Sequence, residues 1–149
     1  MIGYIEGNIL FSDGHEVIMQ TTSGVGYQVY HHRVIPEGTT TSFFVSHVIR
    51  ENSQELYGFQ NLREKKLFEM LTSVKGVGPK SAFALVAALG PEAIIEGVQF
   101  ENKKALTKAP GIGQKAASQI ILDLQTKIYK VNGYSSNQLQ VFPTEIKSG

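Results

Sequence analysis

Two hydrophobic periods share the chain, and they change over near residue 61. Before that point, apolar and polar positions alternate in short runs separated by turn residues, the period-two pattern of half-buried strands. Ile2 to Phe11 alternates in part, Ser12-Asp13-Gly14 reads as a turn, and Glu16 to Gln20 resumes the apolar run, which predicts a hairpin. Gly24-Val25-Gly26 breaks the chain before Tyr27 to His31, and Pro36-Glu37-Gly38 separates that strand from Thr39 to Ile49. A polar tip, Arg50-Glu51-Asn52-Ser53, then leads into Glu55 to Phe59. Five short strands, rich in β-branched and aromatic residues, predict a small closed barrel such as the OB-fold, with an SH3-like barrel as the other pattern of this kind.

From Leu62 the apolar spacing becomes helical. Leu67, Phe68, Leu71 and Val74 form one face, which stops at Lys75-Gly76. Pro79, suited to a first turn, opens a helix carrying Ala82, Leu85, Val86 and Leu89 on one side up to Gly90. Pro91 to Val98 and Asn102 to Lys108 predict two short helices. After Pro110 and Gly113, the residues Ala117, Ile120, Ile121, Leu124 and Ile128 define a longer amphipathic one. The expected architecture is α+β: a five-stranded OB-fold barrel over residues 1–61, followed by an all-α domain over 62–130. Residues 131–149 are polar without a sustained period and predict a flexible tail, in which Val141 and Phe142 are the side chains suited to docking on a partner.

Composition alone excludes several chemistries. The 149 residues include no cysteine, which removes disulfides, thiolate zinc sites and a cysteine nucleophile and points to a reducing, cytoplasmic setting. The four histidines lack the spacing that puts two imidazoles on one helix face, so neither a metal nor any other cofactor is expected. No uninterrupted apolar run reaches the roughly 18 residues of a membrane span, and the N-terminus lacks the charge and apolar pattern of a secretion signal. A membrane partner is not expected. The formal net charge of +1 conceals a division: residues 1–61 sum to −4, whereas 62–130 carry eleven bases against six acids, or +5. A basic helical module suits a polyanion.

Within that module the chain repeats itself. Val74 to Leu89 aligns without gaps on Ala109 to Leu124 at an offset of 35, each copy reading Gly-aliphatic-Gly-x-Lys-small-Ala between two helices. The paired glycines permit backbone conformations closed to other residues, and the aliphatic residue between them pins the turn into the core. Main-chain amides then lie at a helix N-terminus, where the first turn leaves N–H groups without partners and the helix dipole is positive. A lysine in that turn opposes the helix dipole but suits a phosphate held there. The expected DNA-binding residues are Gly76, Val77, Gly78, Lys80 and Ser81 in the first copy and Gly111, Ile112, Gly113, Lys115 and Ala116 in the second. A single such turn reads as a glycine-capped helix-turn-helix, but a cap requires no lysine at the same unfavourable position twice. Contacts made mainly by main-chain amides to two backbones across a minor groove would be independent of base sequence.

Rival phosphate chemistry does not fit. Lys75-Gly-Val-Gly-Pro-Lys80 lacks the spacing of a nucleotide P-loop, and Gly24-Val25-Gly26 lacks the third glycine and following helix of a dinucleotide site. Neither paired carboxylates beside a base nor a suggestive Ser/His/Asp set is present, so no intrinsic active site is expected.

The barrel beginning Met1-Ile2-Gly3, the Gly24-Val25-Gly26-Tyr27-Gln28-Val29 turn, the Arg50-Glu51 and Leu56-Tyr57-Gly58-Phe59 strand pair and the two helix-hairpin-helix turns together resemble the RuvA family, the bacterial Holliday-junction-binding subunit of the branch migration complex. The resemblance covers about residues 1–130. It implies a homotetramer, or an octamer, that holds a four-way junction open and square-planar, with helical domains on the arms and barrels around the centre. A hexameric ATPase motor, RuvB, would pull two arms through, and the resolvase RuvC would cut the held junction. The chain would then be the non-catalytic DNA-recognition subunit for branch migration in recombination and repair. Two departures stand out. Where the family has two adjacent acids at the junction centre, this chain has Glu51-Asn52, so a tetramer would present four formal charges there instead of eight. The family's third, motor-binding domain has no counterpart in the polar tail, which is either truncated or differently coupled. The alternative from another class is a general duplex-binding helix-hairpin-helix module of a repair enzyme assembly, its barrel serving protein contacts or stacking single strands on aromatic platforms. A third class, a scaffold without DNA, is disfavoured by the repeated lysine.

Overall fold

A computed structural model describes residues 1–134, which form two compact units, Met1–Asn61 and the helical segment from Leu62 onward. The first is a closed barrel of strands β1 (Tyr4–Ser12), β2 (Glu16–Gln20), β3 (Gly26–Tyr30), β4 (Thr40–Ile49) and β5 (Gln54–Phe59) in the order β1-β2-β3-β5-β4. Every pairing is antiparallel except β3 with β5, so the OB-type barrel is the observed one. Period-two alternation sends Ile5, Ile9, Val17, Met19, Val29, Phe43 and Val45 inward, where all seven are buried. Gly7 lies where β1 presses on β2: a Cβ there would stand 2.6 Å from the Gln20 carbonyl oxygen. Closure leaves the barrel without a free edge.

Not every buried position of the barrel is apolar. His31, directly after β3, is 1% exposed, packs on Phe43 with ring centroids 4.6 Å apart, and donates its Nδ1 hydrogen to the Gly58 carbonyl at 3.1 Å. Burial, followed by the charges of His32 and Arg33 as lesser causes, pushes its pKa down to about 4 against the partial support of the Gly58 contact.

The second unit comprises α1 (Leu62–Thr72), α2 (Pro79–Gln99), α3 (Lys103–Leu106), α4 (Gln114–Leu124) and a 3-10 helix at Ile128–Gly133. By length and mean hydropathy α2 is able to cross a membrane, although no uninterrupted apolar run of that length exists in the sequence. It is two helices in series: Gly90, at φ 81 and ψ 165, breaks it, and Pro91 follows. Its inward residues Leu85, Val86, Ile94, Ile95 and Val98 are buried in the helical core, as expected for core helices of a globular unit.

The last helix differs from expectation. The apolar spacing predicts continuous helix to Ile128, but α4 ends at Leu124 and a 3-10 turn carries the fold past residue 130. Two contacts hold it there. Ile128 and Val131 are both fully buried, and Asn132 accepts a 3.1 Å hydrogen bond from Arg63 Nη2. Arg63 also pairs through Nη1 with Glu92, so one guanidinium ties α1 to α2 and to this turn. The docking residues Val141 and Phe142, with the rest of the expected tail beyond Tyr134, lie outside the described residues.

The buried His31 makes barrel stability depend on pH. Below pH 6.5 the unfolded chain binds a proton on this ring that the folded barrel refuses until about pH 4. Stability is therefore present at neutral pH and falls as pH drops through that window. The loss by pH 5 is about 2 kcal/mol relative to neutral pH. Hydrogen exchange at barrel amides such as Val29 and Val45, corrected for intrinsic rates, should report this slope, and His31→Gln should flatten it.

Candidate nucleic-acid interface

The internal repeat is also a repeat of geometry. In each copy the first glycine is left-handed, Gly76 at φ 89 and Gly111 at φ 83, and the second is extended, Gly78 at φ −88 and ψ 174 against Gly113 at φ −93 and ψ −177. The hydrogen bonds repeat with them. Val77 N–H donates to the Val74 carbonyl at 3.0 Å and Ile112 N–H to that of Ala109 at 3.2 Å. Ala82 N–H reaches the Gly78 carbonyl and Ala117 N–H that of Gly113, both at 3.0 Å. Glycine's freedom is thus required at the first position of each pair only. Any residue adopts the conformation of the second.

Burial separates the inner residues of each hairpin from its exposed ones. Val77 and Ile112 are buried and spend their amides closing the turn, so they pin the hairpin into the core. Gly78 and Gly113 are exposed N-caps, neither helix start has a side-chain cap, and a Cβ at either glycine would meet nothing within 4 Å. First-turn amides of α2 and α4 therefore have neither an intrahelical partner nor a side-chain cap, and the glycines that precede them border open space. Lys80 and Lys115 are exposed, and neither forms an ion pair among the described residues. A positive helix end with an unpaired cation beside it is a place where an anion is stabilised from two sources.

The two turns are neighbours. A Cβ on Gly111 would lie 3.8 Å from Ser81 Oγ at the start of α2. Between them opens a concavity of about 600 Å³ lined by Lys75, Gly76, Gly113, Lys115, Ala116 and Gln119. It brings together Gly76 with Gly113, Lys115 and Ala116 of the expected residues, while Gly78, Lys80 and Ser81 are not part of its lining. Lys75 and Gln119 are additions. Gln119 stands four residues after Lys115 and three after Ala116, on the same helix face, a spacing that points to it. Its side-chain amide donates to Asp123 Oδ1 at 2.8 Å. Glu51 and Asn52 occupy the exposed tip of the β4–β5 hairpin, which Arg50 N–H closes onto the Ser53 carbonyl at 2.8 Å.

Two family models match the chain: the RuvA N terminal domain over residues 1–58 and a SAM-like helix-hairpin-helix tandem over residues 68–126. Among similar proteins are three called Holliday junction branch migration complex subunit RuvA. That of Brevibacillus brevis is 41% identical over 132 residues, covering 86% of this chain and 64% of the relative. That of Staphylococcus carnosus is 41% identical over 133 residues, covering 86% and 65%. That of Halalkalibacterium halodurans is 35% identical over 155 residues, covering 100% and 76%. The chain spans about two thirds of the length of the Brevibacillus brevis relative.

The backbone angles separate the two kinds of glycine experimentally. Gly76→Ala and Gly111→Ala should each cost the helical unit about 1–2 kcal/mol, because a Cβ is strained at positive φ. Gly113→Ala, at an extended and open position, should cost less than about 1 kcal/mol. Chemical denaturation followed by helical circular dichroism measures all three.

Proposed function

The chain belongs to the RuvA family, and from that premise we propose that it binds four-way junction DNA through phosphate contacts, without base specificity, as the DNA-recognition subunit of a branch migration complex. The observation that supports this most directly is the pair of matching turns, each with a bare helix N-terminus and an unpaired lysine. Main-chain amides and lysines recognise phosphate oxygens and carry no base code, so the predicted grip is on backbone shape. The extended glycines keep side chains out of the path of a phosphate. Four copies around a junction would place helical units on the arms and the hairpin tips at the centre, holding the arms in one plane. The chemistry of branch migration would then fall to an ATP-driven motor, RuvB, and cleavage to RuvC, with this subunit supplying no catalytic group.

At the centre the role of Glu51 is repulsive. A carboxylate facing crowded phosphates does not strengthen binding; it keeps strands apart and guides them. Asn52 beside it makes this effect weaker than two adjacent acids would.

A gel shift comparing a four-way junction with a linear duplex of the same arms tests the reading, and the junction should bind more tightly by at least an order of magnitude. Equal affinity would favour the general duplex-binding module. The logarithm of affinity should fall with the logarithm of salt by about 0.9 per neutralised phosphate, and Lys115→Ala should lessen that slope for every sequence alike. Gly113→Val should abolish junction binding without unfolding the barrel. Glu51→Gln should tighten junction binding at low salt, with the gain shrinking as salt screens the charge. Weaker binding by that variant would remove the repulsive role.

A further inference from the structure

The two hairpins match in backbone but not in the donors they offer. Pro79 occupies the first helical position of α2 and has no N–H, whereas Gln114 at the same position of α4 supplies one. The residue before the left-handed glycine is Lys75 in the first turn and Pro110 in the second. These reciprocal prolines leave the second helix start with one more amide and give the first turn one more cation. The concavity shows where that cation goes. Lys75 and Gly76 line it together with Gly113, Lys115, Ala116 and Gln119, so the first turn's extra lysine faces the second turn's helix start. Lys75 is exposed and forms no ion pair among the described residues. The nearest acid along α4, Asp123, is engaged by the Gln119 amide.

We propose that the two hairpins are unequal partners on DNA: the second is the main phosphate anchor, because Lys75 of the first hairpin crosses the groove to the phosphate held at the start of α4. That phosphate is met by the amides of Gln114, Lys115 and Ala116, by the Lys115 ammonium and by the Lys75 ammonium from the other repeat. The first turn, with neither the amide that Pro79 removes nor a lysine returned from Pro110, makes the weaker contact. This rests on the reading that the turns bind DNA phosphates.

The test is amide NMR on the whole chain, titrated with a short linear duplex, for the parent, Lys75→Ala, Lys75→Arg and Lys80→Ala. In Lys75→Ala, shifts induced by DNA at Gln114, Lys115 and Ala116 should fall by more than half, while those at Lys80 and Ser81 persist. Affinity should drop about tenfold, further than in Lys80→Ala, and Lys75→Arg should restore most of it. Loss confined to Lys80 and Ser81 in Lys75→Ala, or no loss anywhere, would overturn the proposal and leave phosphate binding by the turns standing. A parent that shows no shift at either turn would instead overturn the phosphate reading itself, and this proposal with it.

Discussion

An α-helix cannot satisfy the amides of its own first turn, and the helical unit is arranged so that two such turns stay bare. Ordinary proteins cover these groups with a serine, threonine or aspartate side chain. Here Gly78 and Gly113 stand at the N-caps and supply nothing, so the amides keep their capacity for a ligand. Forgoing a side-chain cap costs each helix a few tenths of a kcal/mol when glycine takes its place. The left-handed glycine two residues earlier makes the exposure possible, because it turns the chain sharply enough for Val77 or Ile112 to enter the core while the following residue emerges on the surface. A buried aliphatic side chain therefore sets the direction of exposed amides two to four residues further along the backbone.

Duplication adds what one hairpin lacks. A solitary cationic turn would attract any small anion, but two turns side by side with a groove between them favour an anion that continues beyond one phosphate. The same packing makes their differences matter. In isolation, Pro79 and Pro110 would be interchangeable turn residues. Across a shared groove they decide which helix start keeps its full set of donors and which hairpin lends a lysine.

The strands of the barrel were legible because alternation is a local signal: Val17, Met19 and Val29 point inward wherever the strands are placed. The hairpin turns were legible for another reason, since the offset of 35 exposes them without any knowledge of folding. Three features were hidden. Which glycine of each pair carries positive φ depends on how the turn closes, and Gly-x-Gly does not specify it. Lys75 read as the end of a helix, since its place on the groove arises only when the second repeat packs beside the first. Continuation past residue 130 escaped the helical period because the chain there follows a 3-10 path, and Val131 and Asn132 find their partners on α1 and in the core across about seventy residues of sequence.

On the proposed reading, selectivity for a junction does not reside in the turns. A charge-assisted contact to one phosphate contributes about 1.5–3 kcal/mol wherever it is made, and the backbone of a linear duplex offers the same oxygens as a junction arm. A single chain would therefore bind both alike. Discrimination has to arise from how many chains bind one DNA molecule at once, because linked sites convert each later contact into an intramolecular one and add avidity by factors of about 10²–10⁴ when geometry permits. Four arms in a plane permit it for a four-fold assembly and a straight duplex does not. The charge division of the sequence fits this logic. On the proposed reading the segment 62–130 at +5 would supply attraction along arms and the segment 1–61 at −4 none, so a barrel at the centre would discourage DNA from collapsing across it. On that reading, attraction along the arms and repulsion at the middle would together favour the open form of the junction.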